Sequence, residues 1–219
     1  MNRREFSLQL AGVAGVAALS GLGLPTLARA QGGVPVDGKD YIKLKTPLQM
    51  AKTGKIEVVE FMWYACPHCF AFEPTIEPWI AKLPADVHFR RVPVAFDALK
   101  EIHQQIYYTW EALGLVDQMN TKTFTRFHVQ RKPINSESDM LAFAKESGLD
   151  VAKVKAAWES FGVQTKMHQA KQLSEDYQID GVPTIGIAGR FTTSPSMGAG
   201  PAACLTTTDY LINLIRKGG

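Results

Sequence analysis

Ile56-Glu57-Val58-Val59-Glu60-Phe61-Met62-Trp63-Tyr64-Ala65-Cys66-Pro67-His68-Cys69 is the stretch on which the reading of this chain turns. Strand-forming residues run from Ile56 to Tyr64 and then give way to a helix-period pattern, which predicts a strand leading into a helix with Cys66 at its N-terminus. Unpaired backbone N–H groups and the positive end of the helix dipole favour thiolate over thiol at that place, so a lowered pKa is expected for Cys66. Pro67 suits the first helical position, where its missing N–H costs nothing. His68 adds a donor or a positive charge beside the thiolate, and Cys69 lies one turn on, within reach of a disulfide with Cys66.

Two blander readings compete. Half a zinc site would need further ligands, and the one other cysteine, Cys204, stands alone. A purely structural disulfide across so short a loop would constrain the unfolded chain very little. Redox chemistry uses the whole motif, and no metal or cofactor is expected.

Outward from the motif, the alternation puts Ile56, Val58, Glu60 and Met62 on one face and Val59, Phe61 and Trp63 on the other. Apolar residues on both faces predict a central strand in a sheet covered by helices. Glu60 in such a strand is either paired or kept for proton transfer. Val87 to Val94 reads as a second core strand, and its Arg90 and Arg91 are the natural partners for Glu60. Phe72, Ile76, Trp79, Ile80 and Leu83 carry the helix after the cysteines to about Leu83, with a kink at Pro74. Upstream, 31–38 reads as a mobile tail and Tyr41 to Leu44 as a short first strand.

Residues 97–177 are predominantly helical, divided by Gly114, Pro133, Gly148 and Gly162 into at least four helices, with Ser136 as one N-cap. Leu99, Ile102, Ile106, Trp110 and Leu113 form one stripe. His103, His128 and His168 are spaced unlike metal ligands and read as surface or boundary residues. Sheet pattern returns at Gly181 to Ile187 and Arg190 to Thr192, and Thr206 or Thr207 is expected to cap a last helix from Asp209 to Lys217. Cys204 falls in the loop before it, where an odd thiol is buried, modified or used between chains; a buried bystander is expected.

Composition is that of a globular domain, 46% hydrophobic and 21% charged over 219 residues. Three of the 24 basic residues and one of the 21 acidic ones lie in the first thirty, so the remainder is close to neutral and carries no nucleic-acid footprint. Residues 1–30 read as a cleaved signal peptide: Arg3-Arg4, a Gly-diluted apolar stretch from Leu8 to Leu24, then Ala28-Arg29-Ala30. Arg3-Arg4-Glu5-Phe6 fits a twin-arginine signal, and the leader fits an ordinary secretory signal equally well. Either route ends in an oxidising compartment, the periplasm, where a cysteine pair persists as a disulfide.

Val-Val-Glu-Phe, Cys-Pro-His-Cys, Phe-Glu three residues on, a long helical insertion and Gly-Val-Pro-Thr together resemble a DsbA-type thiol:disulfide oxidoreductase from about residue 40 onward. The resemblance implies an α/β thioredoxin fold with a helical domain inserted between its β-α-β half (31–96) and its β-β-α half (178–219), the insertion being 97–177. It implies that Cys66 is the exposed nucleophile, Cys69 its buried partner and His68 the residue that stabilises the Cys66 thiolate. Pro183 matches the family's cis-proline; with Val182 before it, it lies against the disulfide and lets the backbone pair with substrate. Glu60 matches the family's buried acid, Glu73 another acid near the active-site helix, and Arg91 a position that is often lysine. Arginine stays charged, so a fixed Glu60–Arg91 ion pair is favoured over a relay through both.

The implied partners are newly exported, cysteine-containing proteins and a DsbB-type membrane quinone reductase; a monomer is expected. A disulfide isomerase or reductase is the main rival, although little chain precedes Glu57 to hold a dimerisation domain. A non-catalytic peptide-binding module using the same groove is the alternative from another class.

Overall fold

The computed structural model describes residues 33–50 and 53–218, and the expected leader lies outside the described residues. From Val34 onward the chain clusters as one compact unit. Its elements in order are β1 (Ile42–Lys43), β2 (Ile56–Met62), α1 (Pro67–Ile80), β3 (Val87–Pro93) and α2 (Ala98–Ala112), followed by α3 (Val116–His128) and α4 (Glu137–Glu146). Then come α5 (Val151–Trp158), α6 (Phe161–Asp176), β4 (Thr184–Ile187), β5 (Phe191–Thr193) and α7 (Pro201–Arg216). This is a thioredoxin-like fold in which α2 to α6 separate the two halves of the sheet.

Across the sheet the order is β1-β5-β4-β2-β3, with β2 parallel to β3 and antiparallel to β4. The central place of β2 follows from its two apolar faces. Val58 packs with Phe72 and Ile76 of α1 and Leu211 and Ile212 of α7, while Val59 and Phe61 pack with Ile106 and Trp110 of the insertion and with Tyr177. Gly186 on β4 is what lets Tyr177 lie so close: a Cβ there would stand 2.6 Å from its ring. The Tyr177 hydroxyl then accepts the Gly189 N–H at 2.8 Å, fastening the β4–β5 turn, where Gly189 has φ +65°.

The helical insertion is set by its caps. Asp97, Ser136, Asp150 and Ser160 each accept backbone N–H groups at the starts of α2, α4, α5 and α6. Leu99, counted in the α2 stripe, is instead 43% exposed, because it sits in the first turn, ahead of the part that meets the core.

Three further expectations are corrected. Helix α1 stops at Ile80 rather than Leu83, since Pro84 disfavours helical geometry at the residue before it and the chain closes in tight turns. Helix α7 begins at Pro201, eight residues before Asp209. Gly200, at φ +93°, and Pro201 at the first position make the start, while Thr206 and Thr208 bond back to the carbonyls of Ala202 and Cys204. Residues 36–41 are a hydrogen-bonded turn, with the Val36 N–H donating to Asp40 at 2.9 Å, so the tail is ordered at its inner end.

Candidate active site

Cys66 is the N-cap residue of α1 and Pro67 its first helical residue. The Cys66 N–H donates to the Trp63 carbonyl at 2.9 Å and the Cys66 carbonyl accepts from Phe70 at 3.1 Å, so the turn from β2 into α1 is fixed on both sides. Cys66 is 6% exposed and Cys69 is 0% exposed. The nucleophile implied to be exposed is therefore nearly covered, because the 181–183 segment lies over it: the Cys66 thiol donates to the Val182 carbonyl at 3.5 Å. The Val182–Pro183 peptide is cis. Pro67 and His68 remain exposed beside it.

The two thiols are pushed in opposite directions. Cys66 is lowered to about 6, first by a hydrogen bond from the Cys69 side chain, then, against opposing burial, by the Cys69 and His68 backbone N–H groups and the His68 charge. Cys69 is raised far above the usual thiol value, first by burial and then by its bond to Cys66 and the negative charges of Cys66 and Glu60. One thiolate and one thiol is the state this favours in the reduced protein.

Behind Cys69 lies a cluster of acids around one cation. Glu60 on β2 stands in register with Arg91 on β3. The Arg91 Nε donates to Glu60 Oε2 at 2.9 Å, and its second guanidinium arm donates to Glu77 at 2.8 Å and lies 3.4 Å from Glu73. Arg90 faces the other way and pairs with Glu57 at 2.6 Å, so of the two arginines it is Arg91 that partners Glu60. Adjacent strand residues point to opposite faces, which separates the two arginines. Burial pushes the Glu60 carboxyl up against the pull of Arg91, and pushes Glu73 up to about 8. Arg91 stays charged, the three carboxylates outweighing its burial. Glu60 Oε1 is buried and makes no hydrogen bond.

Two contacts escaped the sequence reading. Asn120 of α3 donates to Glu73 Oε2 at 2.8 Å, tying the insertion to the acid cluster. His103, read as a boundary residue, is 1% exposed and accepts the Trp63 indole N–H at 2.7 Å through Nδ1. Both polar residues sit in apolar stripes of their helices, Asn120 between Val116 and Phe124 and His103 between Ile102 and Ile106, and that interruption was the available signal. Among the histidines, His128 meets the Tyr64 carbonyl at 2.8 Å and stacks on Phe70, while His168 is exposed. Among the described residues no three His, Cys, Asp or Glu side chains converge as a metal site.

A family model described as a DSBA-like thioredoxin domain matches residues 88–205. The thiol:disulfide interchange protein DsbA of Pseudomonas aeruginosa is 40% identical over 175 residues, 80% of this chain and 83% of that protein. The DsbA of Azotobacter vinelandii is 41% identical over 180 residues, 82% of this chain and 84% of that protein. The chain belongs to the DsbA family. Solved structures agree: Pseudomonas aeruginosa DsbA superposes with a TM-score of 0.80 at 39% identity over 83% of this chain and 94% of its own. The oxidoreductase DsbA of Xylella fastidiosa does so with 0.78 at 27% identity over 84% and 100%. The protein is thus a thiol:disulfide oxidoreductase of the DsbA type, and the opposed environments of the Cys66 and Cys69 thiols suit that chemistry.

Cys204 lies within α7, not in a loop, because that helix starts early; burial raises its thiol to about 12, which leaves it inert at neutral pH. No helix among the described residues is long and apolar enough to cross a membrane.

Proposed function

We propose that the chain is exported to the periplasm, with residues 1–30 removed, and there donates the Cys66–Cys69 disulfide to newly exported proteins. A substrate thiolate attacks Cys66 Sγ, the Cys66–Cys69 bond breaks, and Cys69 leaves with the electron pair and takes up a proton. A second substrate thiolate then attacks the substrate sulfur of the mixed disulfide and expels Cys66 as a thiolate. Two electrons pass from substrate to protein. Of the two substrate protons, one remains on Cys69 and one goes to solvent.

The observation that carries the direction is the Cys66 thiol held at about 6. Stabilising that thiolate stabilises the reduced protein and makes Cys66 a good leaving group, so the disulfide moves onto the substrate. We assign His68 and the α1 N-terminus, through Pro67, to stabilising Cys66. Glu60, with its unpaired Oε1, supplies or takes the Cys69 proton, while Arg91 and Glu73 tune it. Val182 and Pro183 receive the substrate backbone, and a DsbB-type membrane quinone reductase withdraws the electrons again.

The test is the reduction potential of the Cys66–Cys69 couple in glutathione buffers. A value well above the roughly −270 mV of thioredoxin supports net oxidation, and one near it favours a reductase or isomerase. Replacing both Cys66 and Cys69 by serine should abolish oxidation of reduced substrates; retained activity would favour a binding module.

A further inference from the structure

A groove of about 590 Å³ opens beside the cysteines, between His68 and Ala71 of α1, the 180–184 segment and the 194–201 segment. Its lining is mostly apolar or small, and among the described residues no lysine or arginine contributes to it. Asp180 is its one carboxylate. That acid is exposed and, among the described residues, meets no cation. Some surface acids elsewhere are paired, Asp86 with Arg216 at 2.7 Å and Glu137 with Lys155 at 2.7 Å.

Asp180 stands two residues before Val182, whose carbonyl faces Cys66. An extended chain advances about 3.3 Å per residue, so a segment laid along 180–182 with its cysteine at Cys66 brings a side chain roughly two positions away against Asp180. A carboxylate in a mostly apolar trough, whose one other titratable side chain is His68 beside the cysteines, attracts a cation at its own position and repels an anion. We propose that Asp180 is a specificity determinant that selects cysteine-containing segments bearing lysine or arginine within about two residues of the reacting cysteine. This rests on the reading above that the groove receives substrate.

The test uses dithiol peptides that differ only in having Lys, Gln or Glu two positions from the first cysteine. Their second-order oxidation rates by the disulfide form are read at low and high salt, each divided by that peptide's rate with the uncharged bis(2-hydroxyethyl) disulfide to remove its own thiol reactivity. The expected order is Lys, Gln, Glu, with up to about 5-fold between neighbours at low salt, shrinking at high salt. Asp180→Asn should bring the rates together, and Asp180→Lys should invert the order. Equal rates in the wild type, or an order that survives in Asp180→Asn, would overturn the proposal. Failure of the wild type to oxidise even the Gln peptide would instead overturn the oxidase reading, and the proposal with it.

Discussion

Replacing Arg91 by methionine is the sharpest probe of the buried cluster. The substitution keeps much of the stem and removes the one cation facing Glu60, Glu73 and Glu77. Glu77 has a side chain 47% exposed and contributes little through its contact. Glu73, at about 8, is mostly protonated at neutral pH, so the loss falls mainly on the Glu60 pair at 2.9 Å. Breaking a buried pair from one side costs about 3–5 kcal/mol. The pH dependence has a definite sign. The folded-state pKa of Glu60 is already above its unfolded value, so stability falls as pH rises through the window between them. Without Arg91 that window extends further upward, and the deficit should grow from acid toward neutral pH, by at most about 1.4 kcal/mol per pH unit for one proton. Urea unfolding of the reduced protein and the variant from pH 4.5 to 8 measures it. A loss under about 1 kcal/mol at pH 7.5, or a loss that does not change with pH, would refute the reasoning. Arg91→Lys keeps the charge but not the fork, and should cost about 1.5–3 kcal/mol.

Three further outcomes are expected. Thiolate absorbance of the reduced protein should titrate with a midpoint near 6, and the potential should fall by about 59 mV per pH unit below that midpoint but about 30 mV above it, where one proton instead of two accompanies the electrons; an unbroken slope counts against the split between the thiols. His103→Leu leaves the Trp63 indole N–H without its acceptor and should lower unfolding stability by about 1–3 kcal/mol in denaturant titrations, a loss within error being contrary evidence. Gly186→Ala puts a Cβ 2.6 Å from the Tyr177 ring and should cost about 1–3 kcal/mol, seen as a lower urea midpoint; an unchanged midpoint would mean that the ring moves freely.

The fold was legible where periodicity and punctuation agreed. Two apolar faces on Ile56–Met62 announced a central strand, and Cys66-Pro67 announced the start of α1, since both signals are local. The start of α7 was missed because Thr206 or Thr207 read as its cap, whereas the Thr206 and Thr208 hydroxyls bond back within the helix and Pro201 opens it. At the site, two core strands offered Arg90 and Arg91 as partners for Glu60, and the family resemblance favoured Arg91; the strand register is what places Arg91 opposite Glu60. Glu77 and Asn120 could not, as their distance from Arg91 and Glu73 depends on how α1 and α3 sit over the sheet. The covering of Cys66 by Val182 is likewise a contact across 116 positions that no local pattern encodes.

Under the proposed disulfide exchange, the geometry also bears on which sulfur reacts at each step. On leaving-group ability alone, attack on Cys69 would be favoured, because it would expel the well-stabilised Cys66 thiolate. Cys69 is fully buried, however, whereas Cys66 keeps 6% exposure, so access favours a first attack at Cys66. That attack must expel Cys69, whose thiolate its surroundings oppose. In the proposed scheme a proton delivered there through Glu60 removes the difficulty: full ionisation of Glu60, Glu73 and Glu77 against the charge of Arg91 would leave excess negative charge in a mostly buried site, so burial favours a proton shared within the cluster. In the second step the leaving sulfur is Cys66, and its low pKa then acts in full. In that scheme burial orders the two steps, and the opposed thiol environments favour running the second toward the oxidised substrate.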